Sequence, residues 1–314
     1  MMCNDKKHVS VVVPIYNEIS MINEIYDRIS AVFSKLENYT YEIVFFDDGS
    51  TDGTRNAVEN LCSQHSEVKG VFYTRNFGYL RSTFYCMQQA KGDCAIIIHA
   101  DLQNPPEVIP EFLEKWEKGA QVVLGVKNQS RENKFVYFLR TVFYFVMIKI
   151  FGVNMYPHAT EFELFDRSFI DVLKKIKVNN PFLRGIVTEY ASSIDFVYYI
   201  QDARKKGKSK FNVNKYYDFA ICGITQHSNR FPRKTIFACV IALIIMLLEF
   251  CFVAIPGFFG TEMLSIANAV ILRGILAAVL VAIIVVAILF EYVISIKNNI
   301  DEKPLVVEEK RINY

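Results

Sequence analysis

An alternation of two patterns between residues 9 and 125 constrains the fold more than any other feature of this sequence. Short runs rich in Val, Ile and Phe, typical of buried strands, alternate with segments whose apolar residues recur at helical spacing. The predicted strands span 8–17, 41–50, 68–76, 93–103 and 120–127, and the predicted helices span 18–37, 51–65, 79–92 and 105–119. The alternation predicts an α/β fold with a doubly wound, mostly parallel sheet, whose ligands bind beyond the carboxyl ends of the strands.

The charge balance argues against nucleic-acid binding, and the cysteine spacing argues against a metal or disulfide framework. The 35 basic and 33 acidic residues leave a net charge of +2, whereas nucleic-acid-binding domains are usually strongly basic, so no nucleic-acid partner is expected. The 7 cysteines include no C-x-x-C pair, and metal or disulfide frameworks need recognisable spacing, so we interpret them as reduced structural thiols. The first residues lead directly into a strand, and no secretory signal is visible.

Two long apolar runs, 235–259 and 269–290, each approach the ~20 residues that span a bilayer. Flanking cations favour a cytoplasmic location for both ends of this pair; they are Arg230, Arg233, Lys234, Lys297, Lys303, Lys310 and Arg311. We therefore predict a cytoplasmic domain over 1–230, a two-helix transmembrane hairpin over 231–296 and a cytoplasmic tail over 297–314. The predicted location is the cytoplasmic (inner) membrane, with a multi-pass topology.

A third apolar segment, 133–152, is interrupted by Arg140 and Lys149. It is compatible with a buried core helix or with a helix that lies in a membrane interface. Many aromatic residues flanked by cations favour the interface.

Acidic and aromatic residues follow the first two predicted strands. Asp47 and Asp48 leave the second strand into a Gly/Ser/Thr turn, where a carboxylate can accept hydrogen bonds from a ribose or base edge. An acidic turn followed by an N-cap at Asp52 explains the same residues equally well. After the first strand, Tyr16 offers a ring for stacking a nucleobase, and Glu18 can accept from base or ribose donors.

The segment HADLQ, 99–103, gives a sharper signal. If the fourth strand extends through it, alternation places His99, Asp101 and Gln103 on one side. An imidazole, a carboxylate and an amide oxygen can together bind Mg²⁺ or Mn²⁺. Such an ion would neutralise a diphosphate leaving group. The alternative is a polar strand end that contains a buried neutral histidine.

A cationic loop, RKKGKSKF at 204–211, carries Arg204, Ser209 and Lys210. These residues suit phosphate binding. A solvated run of charge is the ordinary explanation for such a loop, and contact with anionic lipid head groups is a third, because an apolar run follows.

These motifs occur together and in order along the sequence. By that ordered set the chain resembles the family 2 glycosyltransferases of GT-A fold. The matching branch transfers sugars from nucleotides to polyprenyl phosphate and includes dolichyl-phosphate mannose synthase and bacterial undecaprenyl-phosphate glucosyl- and aminoarabinosyl-transferases. The motifs are VVVPIYNE, DDGSTDGT, RNFG at 75–78, ADLQNPPEVIP, FLRG at 182–185, GKSKF at 207–211 and a tail similar to GEY…K…RPLY. The resemblance covers nearly the whole chain.

The resemblance implies a role for individual residues. Asp101 and Gln103, with His99, would hold the metal and the diphosphate. Glu161, in TEFEL, matches the aspartate of the family's GDFRL segment, a proposed base, and would here act as a base or orient an acceptor phosphate that is already ionised. Asp101 and Glu161 are thus the predicted catalytic residues. The predicted nucleotide-sugar-binding residues are Pro14, Tyr16, Glu18, Asp48, Ala100, Asp101, Arg204, Ser209 and Lys210.

Three positions depart from the family pattern. His99 replaces the first acid of D-x-D, Glu163 replaces the arginine of GDFRL, and Gln201 replaces the first arginine of R-x-x-R-x-x-G-x-S-K. A neutral imidazole in place of a carboxylate removes one negative charge, which weakens Mg²⁺ binding and favours Mn²⁺.

The resemblance therefore implies an inverting transfer of a sugar from an NDP-sugar donor to a polyprenyl-phosphate acceptor at the cytoplasmic membrane face, with Mg²⁺ or Mn²⁺ as cofactor. Membrane lipid is an expected partner, and a homo-oligomer is compatible with the spans. The three departures keep open a degenerate relative that only binds lipid or a partner subunit. A transferase that elongates a glycan is less favoured, because processive synthases usually have more spans and a Q-x-x-R-W segment, which this sequence lacks.

Overall fold

The computed structural model describes residues 6–130, 134–201, 213–228, 230–257, 263–300 and 303–314. Within them, eight strands form one sheet in the spatial order β7-β5-β6-β4-β1-β2-β3-β8. The strands are β1 Lys7–Ile15, β2 Tyr39–Asp47, β3 Val68–Tyr73, β4 Cys94–Ile97, β5 Val122–Ser130, β6 Ala159–Asp166, β7 Ile194–Gln201 and β8 Glu308–Ile312. The helices are α1 Ile22–Phe33, α2 Thr54–Gln64, α3 Tyr79–Gln89, α4 Ile109–Glu117, α5 Lys134–Phe145, α6 Arg167–Lys175, α7 Leu183–Tyr190, α8 Val213–His227, α9 Arg230–Gly257 and α10 Met263–Ile300.

The predicted α/β class and mostly parallel sheet are confirmed. Strands β4, β1, β2 and β3 are parallel neighbours, and β5 is parallel to β7. Strand β6 runs antiparallel between β4 and β5, and β8 runs antiparallel along β3. The five predicted strands and four predicted helices correspond to β1–β5 and α1–α4, whereas β6, β7 and β8 were not among the predictions.

Both faces of the sheet are covered, which explains why the strands are continuously apolar. On one face, Val11 packs in a cluster with Ile25 of α1 and Phe112 of α4. On the other face, Val12 packs in a second cluster with Phe84 of α3 and with residues of α6 and α7. This doubly wound arrangement leaves the carboxyl ends of the parallel strands as the place where polar loops meet.

The predicted extent of the fourth strand was wrong. Strand β4 ends at Ile97, and the chain then turns, with a hydrogen bond of 3.4 Å from the Leu102 N–H to the His99 carbonyl. Leu102 has φ +56°, in the left-handed region. The alternation argument that placed His99, Asp101 and Gln103 on one side of a strand therefore does not hold, because those positions lie in and just after a turn.

The segment predicted only as a tail is part of the sheet. Residues of β8 pair with β3 from Gly70↔Ile312 to Tyr73↔Glu308, and the Thr74 N–H donates to the Val307 carbonyl at 3.0 Å. Val306 is buried in the cluster that contains α3. The tail thus covers the edge of the sheet that β3 would otherwise expose.

Two described helices are long and apolar enough to cross a membrane, judged by length and composition. They are Arg230–Leu248 in α9, with 19 residues, and Leu272–Ile300 in α10, with 29 residues, and none of the most apolar window of either is buried. Helix α5 continues as a π-helical turn, Val146–Ile150, and this segment buries Tyr144 and Met147 while it exposes large apolar side chains. The exposed ones are Phe138, Val142, Phe145 and Ile150.

Candidate functional site

The loops that follow β1 and β2 are bound to each other. Asn17, with φ +53°, accepts from the Thr51 N–H through its side-chain oxygen at 2.8 Å, and its own N–H donates to the Ser50 hydroxyl at 2.8 Å. The predicted nucleoside-binding residues Pro14, Tyr16 and Glu18 lie at this end of β1 and are all half-buried. The structure therefore places Tyr16 and Glu18 on the loop after β1, and Pro14 in β1 itself, where it pairs with Phe46 of β2.

Asp48 binds the next loop rather than open space. Its Oδ1 accepts from the Phe77 N–H at 2.7 Å and its Oδ2 from the Gly78 N–H at 3.1 Å. Burial raises the pKa of this carboxyl to about 6; the two N–H groups oppose the rise, and the neighbouring Asp47 adds to it. Gly49, with φ +72°, lets the turn approach this loop, since a Cβ there would lie 2.6 Å from the Arg75 carbonyl carbon. Asp48 thus fixes the RNFG loop, 75–78, against the end of β2.

Asp47 lies beneath the same turn and is fully buried. Its Oδ1 accepts from the Ser50 N–H at 3.1 Å, and its Oδ2 lies 3.6 Å from the Arg55 Nε. Burial raises the pKa of this carboxyl, while Ser50 and Arg55 oppose the rise. Asp47 therefore stabilises the turn and the start of α2.

His99 contacts groups from two other elements. Its Nε2 lies 3.2 Å from the Tyr79 hydroxyl at the start of α3 and 3.9 Å from the Glu161 Oε2 of β6. Burial lowers its pKa, Asp101 opposes the change, and Arg184 adds to it. The imidazole is accordingly neutral at pH 7, as a metal ligand must be.

Asp101 and Gln103 are both half-buried, and Ala100 between His99 and Asp101 is buried. The Oδ1 of Asp101 accepts from the Gln103 N–H at 3.2 Å, so the carboxylate helps to shape its own turn. Residues 6–130, 134–201, 213–228 and the later described ranges hold no group of three His, Cys, Asp or Glu side chains that could bind a metal alone. His99, Asp101 and Gln103 therefore offer a partial set of ligands, which oxygens of a bound diphosphate could complete.

Glu161 and Glu163 project from the same face of β6, because residues two apart in a strand share a face. Glu161 is 16% exposed and its Oε1 lies 3.4 Å from the Arg184 Nη2. Burial raises its pKa, and Arg184 opposes the rise. Glu163 is 1% exposed, and burial together with the charge of Glu161 raises its pKa to about 8, against the effect of Arg184. Glu163 is therefore mostly neutral at pH 7, and Glu161 carries the ion pair.

A buried chain of hydrogen bonds supports the turn from the other face of β6. The Tyr199 hydroxyl of β7 donates to the Asn104 Oδ1 at 2.6 Å and lies 2.8 Å from the Thr160 Oγ1, which donates to the Gly125 carbonyl at 3.0 Å. Burial raises the pKa of Tyr199, so it remains a donor. These hydrogen bonds fix the position of Asn104, directly after the HADLQ segment.

The cationic loop falls outside the described residues. Arg204, Ser209 and Lys210 lie in 202–212, and the structure describes the chain up to Gln201, the buried last residue of β7. The roles predicted for them stay predictions.

The structure thus brings His99, Asp101 and Glu161 together at the carboxyl end of the sheet, beside the loops of Tyr16 and Asp48. Sequence reasoning missed Tyr79 and Arg184 as parts of this site. Arg184 stands in FLRG, which was recognised as a family motif but given no role, whereas nothing in the local sequence marks Tyr79.

Comparison with protein-family models matches residues 10–177 to glycosyl transferase family 2. The uncharacterised glycosyltransferase YkcC of Bacillus subtilis is 28% identical over 302 residues, which are 96% of this chain and 93% of that protein. The bactoprenol glucosyl transferase of Shigella phage SfV is 34% identical over 227 residues, which are 72% of this chain and 73% of that protein.

A solved structure with a similar fold is glucosyl-3-phosphoglycerate synthase from Mycobacterium tuberculosis, in complex with Mn²⁺, UDP-glucose and phosphoglyceric acid. The TM-score is 0.51 at 18% identity, over 70% of this chain and 78% of that one. At this identity the likeness concerns the fold, and it agrees with the predicted GT-A architecture.

Proposed function

This chain belongs to glycosyl transferase family 2, and on that premise we propose that it transfers a sugar from an NDP-sugar to a polyprenyl phosphate. One observation carries the proposal: Glu161, His99 and the turn of Asp101 meet at the carboxyl end of the sheet, where the family resemblance expects the donor diphosphate and the acceptor phosphate. The acceptor class is suggested by relatives named bactoprenol glucosyl transferases, which are 34% identical to this chain.

The donor would lie across the ends of β1, β2 and β4. Pro14, Tyr16 and Glu18 would contact the nucleoside, and Ala100 would pass close to the nucleotide sugar. Asp48 would act through the RNFG loop that it holds, since both of its oxygens accept backbone N–H groups. Arg204, Ser209 and Lys210 would close over the phosphates, where charge-assisted hydrogen bonds are strong.

A divalent ion fits the donor set of the 99–103 turn. Asp101 would hold it with Gln103 and the neutral His99, and these are oxygen and imidazole ligands that Mg²⁺ and Mn²⁺ accept. When bound, the ion would neutralise charge that develops on the diphosphate leaving group. With one imidazole in place of a carboxylate, the set favours Mn²⁺.

The reaction would be a single displacement. An oxygen of the acceptor phosphate attacks the anomeric carbon as the bond from that carbon to the nucleoside diphosphate breaks. The sugar is thereby transferred with inversion, and the nucleoside diphosphate leaves. Glu161 would orient the acceptor phosphate, which is already ionised and needs no strong base.

Membrane contact would come from α9, α10 and the exposed face of α5. The Lys234 ammonium of α9 donates to the carbonyls of Lys149 and Ile150, both at 3.1 Å, so the π-helical turn after α5 lies against the start of α9. The exposed apolar side chains of α5 would then lie at the lipid interface.

The topology that this implies has a cytoplasmic domain over 1–230, a hairpin over 231–296 and a tail over 297–314 that returns to the domain. The pairing of β8 with β3 supports it, because a tail bound to the domain requires an even number of crossings. The location would be the cytoplasmic membrane, and a homo-oligomer through the spans remains part of the proposal.

The test is a transfer assay with the full-length protein in detergent. Undecaprenyl phosphate, a panel of labelled NDP-sugars, and either Mg²⁺ or Mn²⁺ are supplied, and lipid-linked sugar is measured. Asp101→Ala should abolish the product. Asp93→Ala is the matched control, because Asp93 lies at the opposite end of β4 and accepts the His8 N–H at 2.7 Å. The proposal is supported if the wild type and Asp93→Ala form lipid-linked sugar and Asp101→Ala does not.

A second function is favoured by Glu163 and Gln201, which replace two family cations, and by His99. A degenerate relative would bind lipid or a partner without transferring sugar. Folded protein that gives no product with any donor, and no heat of NDP-sugar binding with either ion, would support it over the transferase.

A further inference from the structure

Arg184 is a half-buried cation at the start of α7, beneath the loop end of β6, and its Nε is fully enclosed. Its side chain is 18% exposed, and its pKa is raised above the ordinary value because the effects of Tyr144, Glu161 and Glu163 outweigh that of burial. A buried guanidinium is costly to desolvate unless its contacts compensate. Its contacts therefore indicate what the side chain is placed to do.

Three contacts hold Arg184, each from a different element. Its Nη2 lies 3.4 Å from the Glu161 Oε1 of β6, and its Nη1 donates to the Tyr144 hydroxyl of α5 at 3.2 Å. Its guanidinium carbon lies 5.4 Å from the ring centroid of Phe219 in α8. The planar guanidinium thus links Glu161, the candidate catalytic carboxylate, to α5, which has the exposed apolar face, and to α8, which precedes α9.

Glu163 is a competing carboxyl that does not take the guanidinium. It lies two residues from Glu161 on the same face, yet its Oε2 has no hydrogen-bond partner among the described residues, and neither does the Nε of Arg184. Since burial leaves Glu163 mostly neutral at pH 7, the charge of Arg184 is directed to Glu161. The Oε1 of Glu161 faces Arg184, and its Oε2 lies 3.9 Å from the His99 Nε2.

We propose that Arg184 is a positioning residue, which fixes the Glu161 carboxylate between the 99–103 turn and the helices α5 and α8. The inference rests on the proposed function, because Glu161 must act on the acceptor for its position to matter. In this proposal Arg184 acts through Glu161 and not directly on the donor. Its loss should therefore lower kcat and leave KM for the NDP-sugar nearly unchanged.

The test compares Arg184→Met, Arg184→Lys and Tyr144→Phe in the detergent transfer assay, with thermal melting on each. Arg184→Met should lower kcat by about 10- to 100-fold, the range expected when a reacting group is misplaced by about 1 Å. Arg184→Lys should recover part of the loss, because an ammonium can still pair with Glu161 but cannot also reach Tyr144. Tyr144→Phe should give a smaller fall in kcat.

Arg167→Met is the matched control. Arg167 is also partly buried on the face of the sheet covered by α3 and α6, but it donates to the carbonyls of Ala90 and Gly92, at the far end of β4. Arg167→Met should lower the melting temperature and leave kcat of the folded enzyme unchanged.

Either of two results would overturn the inference: kcat of Arg184→Met within about twofold of wild type, or a loss that appears as a raised KM for the NDP-sugar and that Arg184→Lys does not recover. Absence of transfer by the wild type itself would instead refute the proposed function.

Discussion

Glu163→Gln should make the stability of this protein less sensitive to alkaline pH. Glu163 is 1% exposed, and its pKa is raised from the ordinary 4.5 to about 8, first by burial and then by Glu161. A carboxyl whose folded pKa is raised binds its proton more tightly in the folded state. Because the unfolded chain releases this proton near pH 4.5 and the folded protein releases it only near pH 8, the free energy of unfolding falls progressively between these two values.

The magnitude follows from the size of the pKa shift. Each pH unit between the unfolded and folded pKa costs roughly 1.4 kcal/mol, so at pH 7 the wild type has lost about 3 kcal/mol relative to pH 4.5 through this group. Glutamine has nearly the same shape and does not ionise. Between pH 5 and pH 8 the same linkage gives about 3.5 kcal/mol, so the melting temperature of Glu163→Gln minus that of wild type should increase by about 7 to 14 °C over this range and change little above pH 8.

The assay is thermal melting in detergent across pH 5 to 8.5, in which any constant cost of the amide cancels. Glu42→Gln is the matched control, and its melting difference from wild type should stay constant between pH 5 and pH 8.5. Glu42 is also buried, but hydrogen bonds from Lys69 and Ser10 outweigh burial and lower its pKa, so its contribution is present above pH 4.5 and lost in acid. A melting difference for Glu163→Gln that stays constant with pH would refute the reasoning. Glu163 would then be ionised and would share Arg184.

Three further outcomes are expected. His99→Asp should raise activity with Mg²⁺ relative to Mn²⁺, measured as the ratio of initial rates, because it restores a carboxylate to the candidate metal site. Asp48→Asn should cost about 1 to 3 kcal/mol in thermal melting and raise KM for the NDP-sugar, since an amide nitrogen would replace one of the two oxygens that accept N–H groups of the RNFG loop. Removing 303–314 should lower the melting temperature and promote aggregation, seen by light scattering, because the edge of β3 loses its partner.

The central part of the fold was predictable because its strands are buried on both faces. Val9, Val11, Val12 and Val13 are all buried and give β1 an apolar run of the kind that marks a strand covered on both faces. The end of β4 was not predictable in the same way. Ile98 is as buried as Ile97, and the turn that follows depends on the positive φ of Leu102, which its residue type does not indicate.

Strand β6 was not among the predictions because both of its partners, β4 and β5, lie in earlier parts of the chain and it runs antiparallel to them. Its segment TEFEL carries two glutamates, and the structure encloses Glu163 and pairs Glu161 with Arg184 of α7. Strand β8 escaped for another reason. Its sequence, EEKRI, is charged, and it is held by backbone pairing with β3 and by ion pairs such as Lys310 with Glu59 at 3.2 Å. Neither partner is visible in local sequence.

The departures from the family pattern were visible in sequence, but their electrostatic consequence emerges only from the structure. Around the 99–103 turn, His99 is neutral, Glu163 is mostly neutral, and Arg184 balances Glu161. The described residues of the turn therefore present the carboxylate of Asp101 and little positive charge. A donor diphosphate would meet net repulsion unless a divalent ion and the loop of Arg204 and Lys210 supply the cations. The proposed transfer should accordingly depend more steeply on divalent metal than it would with the family arginines in place.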